Sequence, residues 1–192
     1  TAHVANLSRS CYFQLRQLRS VRRSLSTDAT ISQIHAFVSS RLDYCNSLLY
    51  TIPVGLLVNL QRIQNAAARL VTGVRRWEHI TPVLRRLHWL PVRSRIVFKI
   101  ATIVYKCLHG LAPPYLARHC VPLTEVHGRG HLRSAAAHKL SEPRTHTKLA
   151  GSRLFSVCGP VVWNGLPERL RNHELSLSAF RRELKTELFK EL

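Results

Sequence analysis

Between Pro53 and Gly73 the apolar residues Leu56, Leu60, Ile63, Ala67 and Leu70 return every three or four positions. The proline ahead of the run and the glycine behind it are the residue types that open and close helices. A stripe of that period buries itself only as one face of a helix, so the chain must assemble helices against one another. The same period recurs along the sequence. Over 3–25 it runs through Leu7, Cys11, Leu18 and Leu25. After Ser26-Thr27-Asp28, which offers an N-cap, it runs through Ile34, Val38, Leu42, Cys45 and Leu49. Thr81-Pro82 begins a short helix that ends near His88. Pro91 begins another, carrying Ile96, Ile100, Ile103 and Cys107, that ends at Gly110. A last helix over 178–192 aligns Phe180, Leu184 and Leu188, with Arg181, Arg182, Lys185 and Lys190 alternating with Glu183, Glu187 and Glu191.

The period fails in one place. Over 122–150 Gly128, Gly130, Pro143 and several histidines interrupt any stripe, which predicts a loop-rich linker or insertion. "GSRLFSVCGPVVWNGLPERLR" comes next, whose short apolar runs broken by Gly and Pro predict a brief strand pair or a strand plus a helix. The expected architecture is therefore mainly α: a helical, thumb-like domain over 1–121, the loop-rich segment over 122–150, and a small extension over 151–192 closed by a capping helix. With 45% hydrophobic residues in 192, the chain has enough apolar material for a real core.

Charge decides what such a bundle meets. Lys and Arg total 29 against 10 Asp and Glu, a net charge of +19. An excess of that size on a foldable chain points to a polyanion, because each phosphate neutralised releases counterions. Arginine far outnumbers lysine, and its fork matches phosphate oxygens. Arg9, Arg16 and Arg23 lie opposite the first apolar stripe, with Arg19 beside them and Tyr12 and Phe13 flanking. Arg62, Asn65 and Arg69 share a face of the 53–73 helix, and Arg75 and Arg76 come after it in the connection. These nine are the candidate nucleic-acid-binding residues. Trp89 and Trp163, each beside Leu and Pro, are assigned to packing.

Other chemistry is scarce. The stretch "SRLDYCNSLLYTIP" sets Asp43, Tyr44, Cys45 and Asn46 together, but Cys45 falls on the apolar stripe and no histidine is spaced to activate it. Arg41 and Asp43 are expected to form ion pairs or polar contacts with a neighbouring helix. The five cysteines are widely spaced and read as reduced, buried thiols of an intracellular protein, nuclear and cytoplasmic. The ten acidic residues include no adjacent pair, so a two-metal catalytic centre is not expected here. Cys107, His109, His119, Cys120, His127 and His131 are types that suit zinc, yet their spacing matches no common finger, so no zinc is expected. No run is long and apolar enough for a membrane span. A start at Thr1 and the lack of any Met predict a fragment of a longer coding region.

Three collinear blocks carry a resemblance. They are "SRLDYCNSLLY" with "LQRIQNAAARLVTG", then "HITPVLRRLHWLPVRSRIVFKIATIVYKCLHGLAPPYL", then "GSRLFSVCGPVVWNGLPERLR" with "FRRELKTELF". In this order the chain resembles non-LTR (LINE-type) retrotransposon polyproteins, in the region just after the catalytic palm of the reverse transcriptase. The resemblance covers roughly residues 11–190. It implies a helical thumb and C-terminal extension of an RNA-directed DNA polymerase, gripping RNA and RNA–DNA duplex beside the palm domain of the same polyprotein. The family's catalytic aspartates and their divalent metal belong to that palm, and no residue here matches their motif. The fragment alone is accordingly expected to be inactive and to hold no cofactor. The alternative expectation is an element-derived helical scaffold that binds proteins and not nucleic acid.

Overall fold

The structure, a computed structural model, describes residues 2–126, 137–143 and 151–190, with backbone alone at positions 46 and 152. It is mainly helical, and it divides into two compact units. One lies within Thr1–Asn46 and Ile52–Arg95, the other within Ser47–Thr51 and Ile96–Glu191. The division therefore falls inside the segment expected as one domain over 1–121.

In the first unit, α1 (Ala2–Val21) buries Val4, Cys11, Leu15 and Leu18. It stops four residues short of the expected end. Arg22 opens a 3-10 turn, Arg22–Ser24, and its guanidinium reaches inward. Nε donates to Leu70 O at 3.0 Å, Nη2 to Val71 O at 2.9 Å and Nη1 to Leu25 O at 2.9 Å. Two of those carbonyls belong to the last turn of α4 (Val54–Thr72), where a cation is favoured.

Ser26 caps α2 (Thr27–Ile34) by accepting the Ala29 N–H at 3.1 Å. A π-helical turn, His35–Ser39, links it to α3 (Ser40–Asp43). Ile34, Val38 and Leu42 are buried as the stripe requires, but Cys45 is exposed. The helix ends at Asp43, Tyr44 is extended and Cys45 takes a left-handed conformation at φ 49°. The helical count no longer runs through position 45, which corrects the expectation of a buried thiol there.

α4 begins after Pro53 and ends at Gly73, whose φ of 74° is the conformation that favours glycine. α1, α2 and α5 (Thr81–Arg86) all pack against α4. Polar side chains on α4 anchor the chain between α5 and the next helix. Gln64 is buried and donates to Leu90 O at 2.7 Å, and Gln61 Oε1 accepts the Val92 N–H at 2.8 Å. That amide is the first of α6 (Val92–Leu108). Trp89 is packed, tilted against His35 at 5.4 Å.

In the second unit α6 closes on Gly110 at φ 68°. The Leu111 N–H donates to Lys106 O at 2.8 Å and the Gly110 N–H to Cys107 O at 3.5 Å, the paired bonds of a Schellman ending. α7 (Pro114–Ala117) leads to an isolated antiparallel bridge between Pro122 and Leu140. The stretch 151–171 contains no strand among the described residues. It forms a 3-10 turn, Gly151–Arg153, then α8 (Phe155–Asn164), then a 3-10 turn, Glu168–Arg171. The expected strand pair is thus corrected to helix. Cys158 with Val162, and Gly159 with Trp163, are buried at i, i+4 spacing, while Val161 is exposed. Pro160 stands inside this helix, where it lacks the N–H that would have bonded to Ser156 O and its ring crowds that carbonyl.

Gly159 lets this helix sit close. A Cβ there would lie 3.2 Å from Val104 Cγ2 and 3.3 Å from Phe155 Cε2. The C-terminus of α8 then holds the 138–142 segment. Asn164 Oδ1 accepts the Leu140 N–H at 2.8 Å, its Nδ2 donates to Leu140 O at 2.9 Å, and Trp163 Nε1 donates to His138 O at 3.0 Å. Trp163 is thereby packed, as assigned. The capping helix is α9 (Leu177–Lys190), which buries Phe180, Leu184 and Leu188. Phe180 stacks on Tyr105 at 4.5 Å, and the Tyr105 hydroxyl donates to Leu175 O. Among the described residues no helix is long and apolar enough to cross a membrane.

Candidate nucleic-acid interface

The arginines divide by what the fold does with them. On α1, Arg9, Arg16 and Arg19 are exposed, as is Arg23 in the adjoining turn. At 1.5 Å rise per residue the row from Arg9 to Arg19 is about 15 Å long. Tyr12 and Phe13 are exposed within it. Arg9 Nη1 lies 3.4 Å from Asn6 Oδ1, and Arg16, Arg19 and Arg23 meet no acceptor among the described residues. Arg41 of α3 is drawn back to α1, donating to Ser10 Oγ at 2.7 Å, the helix-to-helix contact expected of it.

On α4 the three candidates differ. Arg62 is exposed, with Nη1 3.5 Å from Asn59 Oδ1. It lines a groove of about 290 Å³ between α1 and α4 together with Tyr12 and Ser8, so it joins the α1 row. The Ser8 hydroxyl at that groove is buried and has no partner among the described residues. Asn65 is half-buried and accepts from Gln61 Nε2 at 2.8 Å. Arg69 turns to the connection after α4. Its Nε donates to Arg75 O at 3.4 Å, and its Nη2 to Arg76 O at 3.3 Å and Glu78 O at 3.1 Å. Arg75 and Arg76 are exposed there, the Arg75 guanidinium lying 5.3 Å from the ring centre of Trp77. Trp77 is a residue that sequence reasoning passed over. Nothing in its neighbours' periodicity marks it, and the only available signal was a tryptophan outside every apolar stripe.

Asp43 is a structural anion. Arg95 Nε donates to Asp43 Oδ1 at 3.0 Å and Nη2 to Oδ2 at 2.6 Å, a bidentate pair that ties α3 to the first turn of α6. His35 close by is held below the usual imidazole range, first by burial and then by the Arg95 charge, with Asp43 opposing. Burial pushes the thiols up: Cys11 and Cys158 to about 11 and Cys120 to about 12. Cys107 is also raised by burial and shares a hydrogen bond with Cys120.

Of the other residues weighed for zinc, His109 faces the carbonyls of Tyr105, at 2.7 Å, and His173, at 3.2 Å. His127 and His131 lie outside the described residues, as do Gly128, Gly130 and His146. Among the described residues no three His, Cys, Asp or Glu gather where a metal ion could be held. No family model, curated protein or solved structure matches this chain.

Proposed function

We propose that this chain is the thumb and C-terminal region of an RNA-directed DNA polymerase of the non-LTR retrotransposon type. It grips RNA and RNA–DNA template–primer duplex by the phosphates, beside a palm domain of the same polyprotein, and has no catalytic centre of its own. Divalent metal belongs to that palm. Working on nucleic acid, it acts in the nucleus and the cytoplasm.

The observation that carries the reading is the contrast among arginines. Arg22, Arg69 and Arg95 direct their guanidinium groups at carbonyls or a carboxylate of the fold. Arg9, Arg16, Arg19 and Arg23 stand along one exposed edge beside Tyr12 and Phe13, on a chain of net charge +19. A row of forked cations with aromatics between them suits a backbone-tracking surface, which reads shape and phosphate and not base edges.

The test is binding to a blunt RNA–DNA duplex across a salt series, with Arg9, Arg16, Arg19 and Arg23 replaced by Gln. Each phosphate left without its arginine flattens the slope of log K against log salt by roughly 0.9, so the variant's slope is expected to fall by up to about 3.6. A slope indifferent to the four substitutions would refute the interface. The scaffold reading has its own support in Val54 and Val58, apolar residues left exposed at the start of α4. Wild-type protein that binds no nucleic acid even at low salt would favour it.

A further inference from the structure

Of the three tryptophans, Trp89 is 6% exposed and Trp163 1%, while Trp77 is 75% exposed. Leaving the largest apolar side chain in water is unfavourable unless something covers it in use. The loop beneath it is built to hold it there. The Glu78 N–H donates to Arg75 O at 3.2 Å, closing a turn in which Arg76 and Trp77 are the two central residues. Glu78 Oε1 accepts the Arg75 N–H at 2.8 Å, so the only carboxylate in the turn is folded back on its own backbone. From α4, Arg69 gathers the carbonyls of Arg75, Arg76 and Glu78 at 3.1–3.4 Å. With the carbonyls drawn inward, the side chains at the tip face solvent. Arg75 lies over the indole, and beside the loop is a hollow of about 550 Å³ lined in part by His79, Pro82 and Arg86.

We propose that Trp77 is a stacking platform for an unpaired nucleobase, at a single-stranded end or loop of the bound nucleic acid, with Arg76 and Arg86 meeting the flanking phosphates. The inference rests on the nucleic-acid reading above and adds the strand state that this loop recognises. Charge selects the occupant. Residues 73–88 carry four arginines and one glutamate, so an apolar protein surface laid on Trp77 would have to desolvate Arg76 beside it, whereas a nucleotide brings an aromatic face and an anion together. A blunt duplex offers its bases edge-on in the grooves, and its stacked interior has no free face for the indole. An unpaired base has one.

The experiment uses the whole chain, a short oligo-uridine RNA and a blunt RNA–DNA duplex, each titrated against wild type, Trp77→Phe and Trp77→Ala. Because Trp89 and Trp163 are buried, quenching of intrinsic fluorescence by the single strand reports Trp77. The expected result is a loss of single-strand affinity on the order of tenfold to a hundredfold in Trp77→Ala, with most of it retained in Trp77→Phe. The salt slope should not change, since every phosphate keeps its arginine, and duplex affinity should stay within about twofold. Wild type that binds both ligands while Trp77→Ala binds the single strand equally well overturns the platform and leaves the thumb reading standing. Equal losses for single strand and duplex also overturn it. Wild type that binds neither ligand overturns both.

Discussion

Replacing Asp43 by Asn leaves the shape of the side chain and removes its charge from beside Arg95. Both side chains are 19% exposed, so the guanidinium would be left largely desolvated without its counter-ion. Two charge-assisted bonds are affected, at 3.0 and 2.6 Å. Whichever way the amide turns, one guanidinium N–H keeps a neutral oxygen acceptor and the other faces the amide NH2, which cannot accept. A hydrogen bond to a charged group contributes about 1.5–3 kcal/mol, and partial exposure places this pair below the cost of breaking a fully buried one. On that scale the expected destabilisation is about 2 kcal/mol. Arg95→Gln should cost a similar amount, and the double variant less than the sum of the two by about 1–2 kcal/mol, because each single change already removes the pair. Urea unfolding of the four proteins, followed by circular dichroism, measures this coupling. Additivity within about 0.5 kcal/mol would refute the claim that the pair acts as one unit joining α3 to α6.

Three further outcomes are expected. A thiol reagent added to native protein should modify Cys45 rapidly and leave Cys11, Cys107, Cys120 and Cys158 until unfolding, since only Cys45 is exposed and burial raises the other four; fast labelling of Cys120 would contradict this. His35 and His173 are both held below the ordinary imidazole value, chiefly by burial, so the unfolded chain binds more protons than the native one near pH 6. Their contribution is fully present above about pH 6.5 and is lost as pH falls below it, so melting at about pH 5.5 should come lower than at about pH 7.5, and His35→Gln should reduce the difference. Gly159→Val should destabilise the second unit by about 1–3 kcal/mol, because its branched side chain extends past a Cβ that already crowds Val104 and Phe155; an unchanged urea midpoint would argue against that close approach.

Much of the helix layout was legible because it rests on local chemistry. Pro53 and Gly73 bracket α4, Gly110 closes α6, and Phe180, Leu184 and Leu188 bury as a stripe, since caps and period act within a few residues. The failures depended on a shift in count or on partners far along the chain. Cys45 left its stripe where the helix ended at Asp43, and α8 looked like strand because exposed Val161 adjoins buried Val162. The site divides in the same way. A helical wheel places Arg9, Arg16 and Arg19 on one edge, but it cannot tell that Arg69 reaches nine residues ahead to Glu78 O or that Asp43 finds Arg95 fifty-two residues away. The exposure of Trp77 was hidden for that reason: it arises from a turn held by a guanidinium on another element.

The π-helical turn at His35–Ser39 acts as a phase offset in an otherwise regular screw. One residue more than an α-helical turn needs is accommodated there, rotating everything downstream by about 100° relative to an uninterrupted helix. Asp43 meets Arg95, and Arg41 meets Ser10, with that offset in place. Removing a single residue from 35–39 would therefore heal the helix and improve its local hydrogen bonding, yet it would turn both side chains away from their partners. In this segment length is itself a specification, and a shorter, more ideal helix would be the less native one.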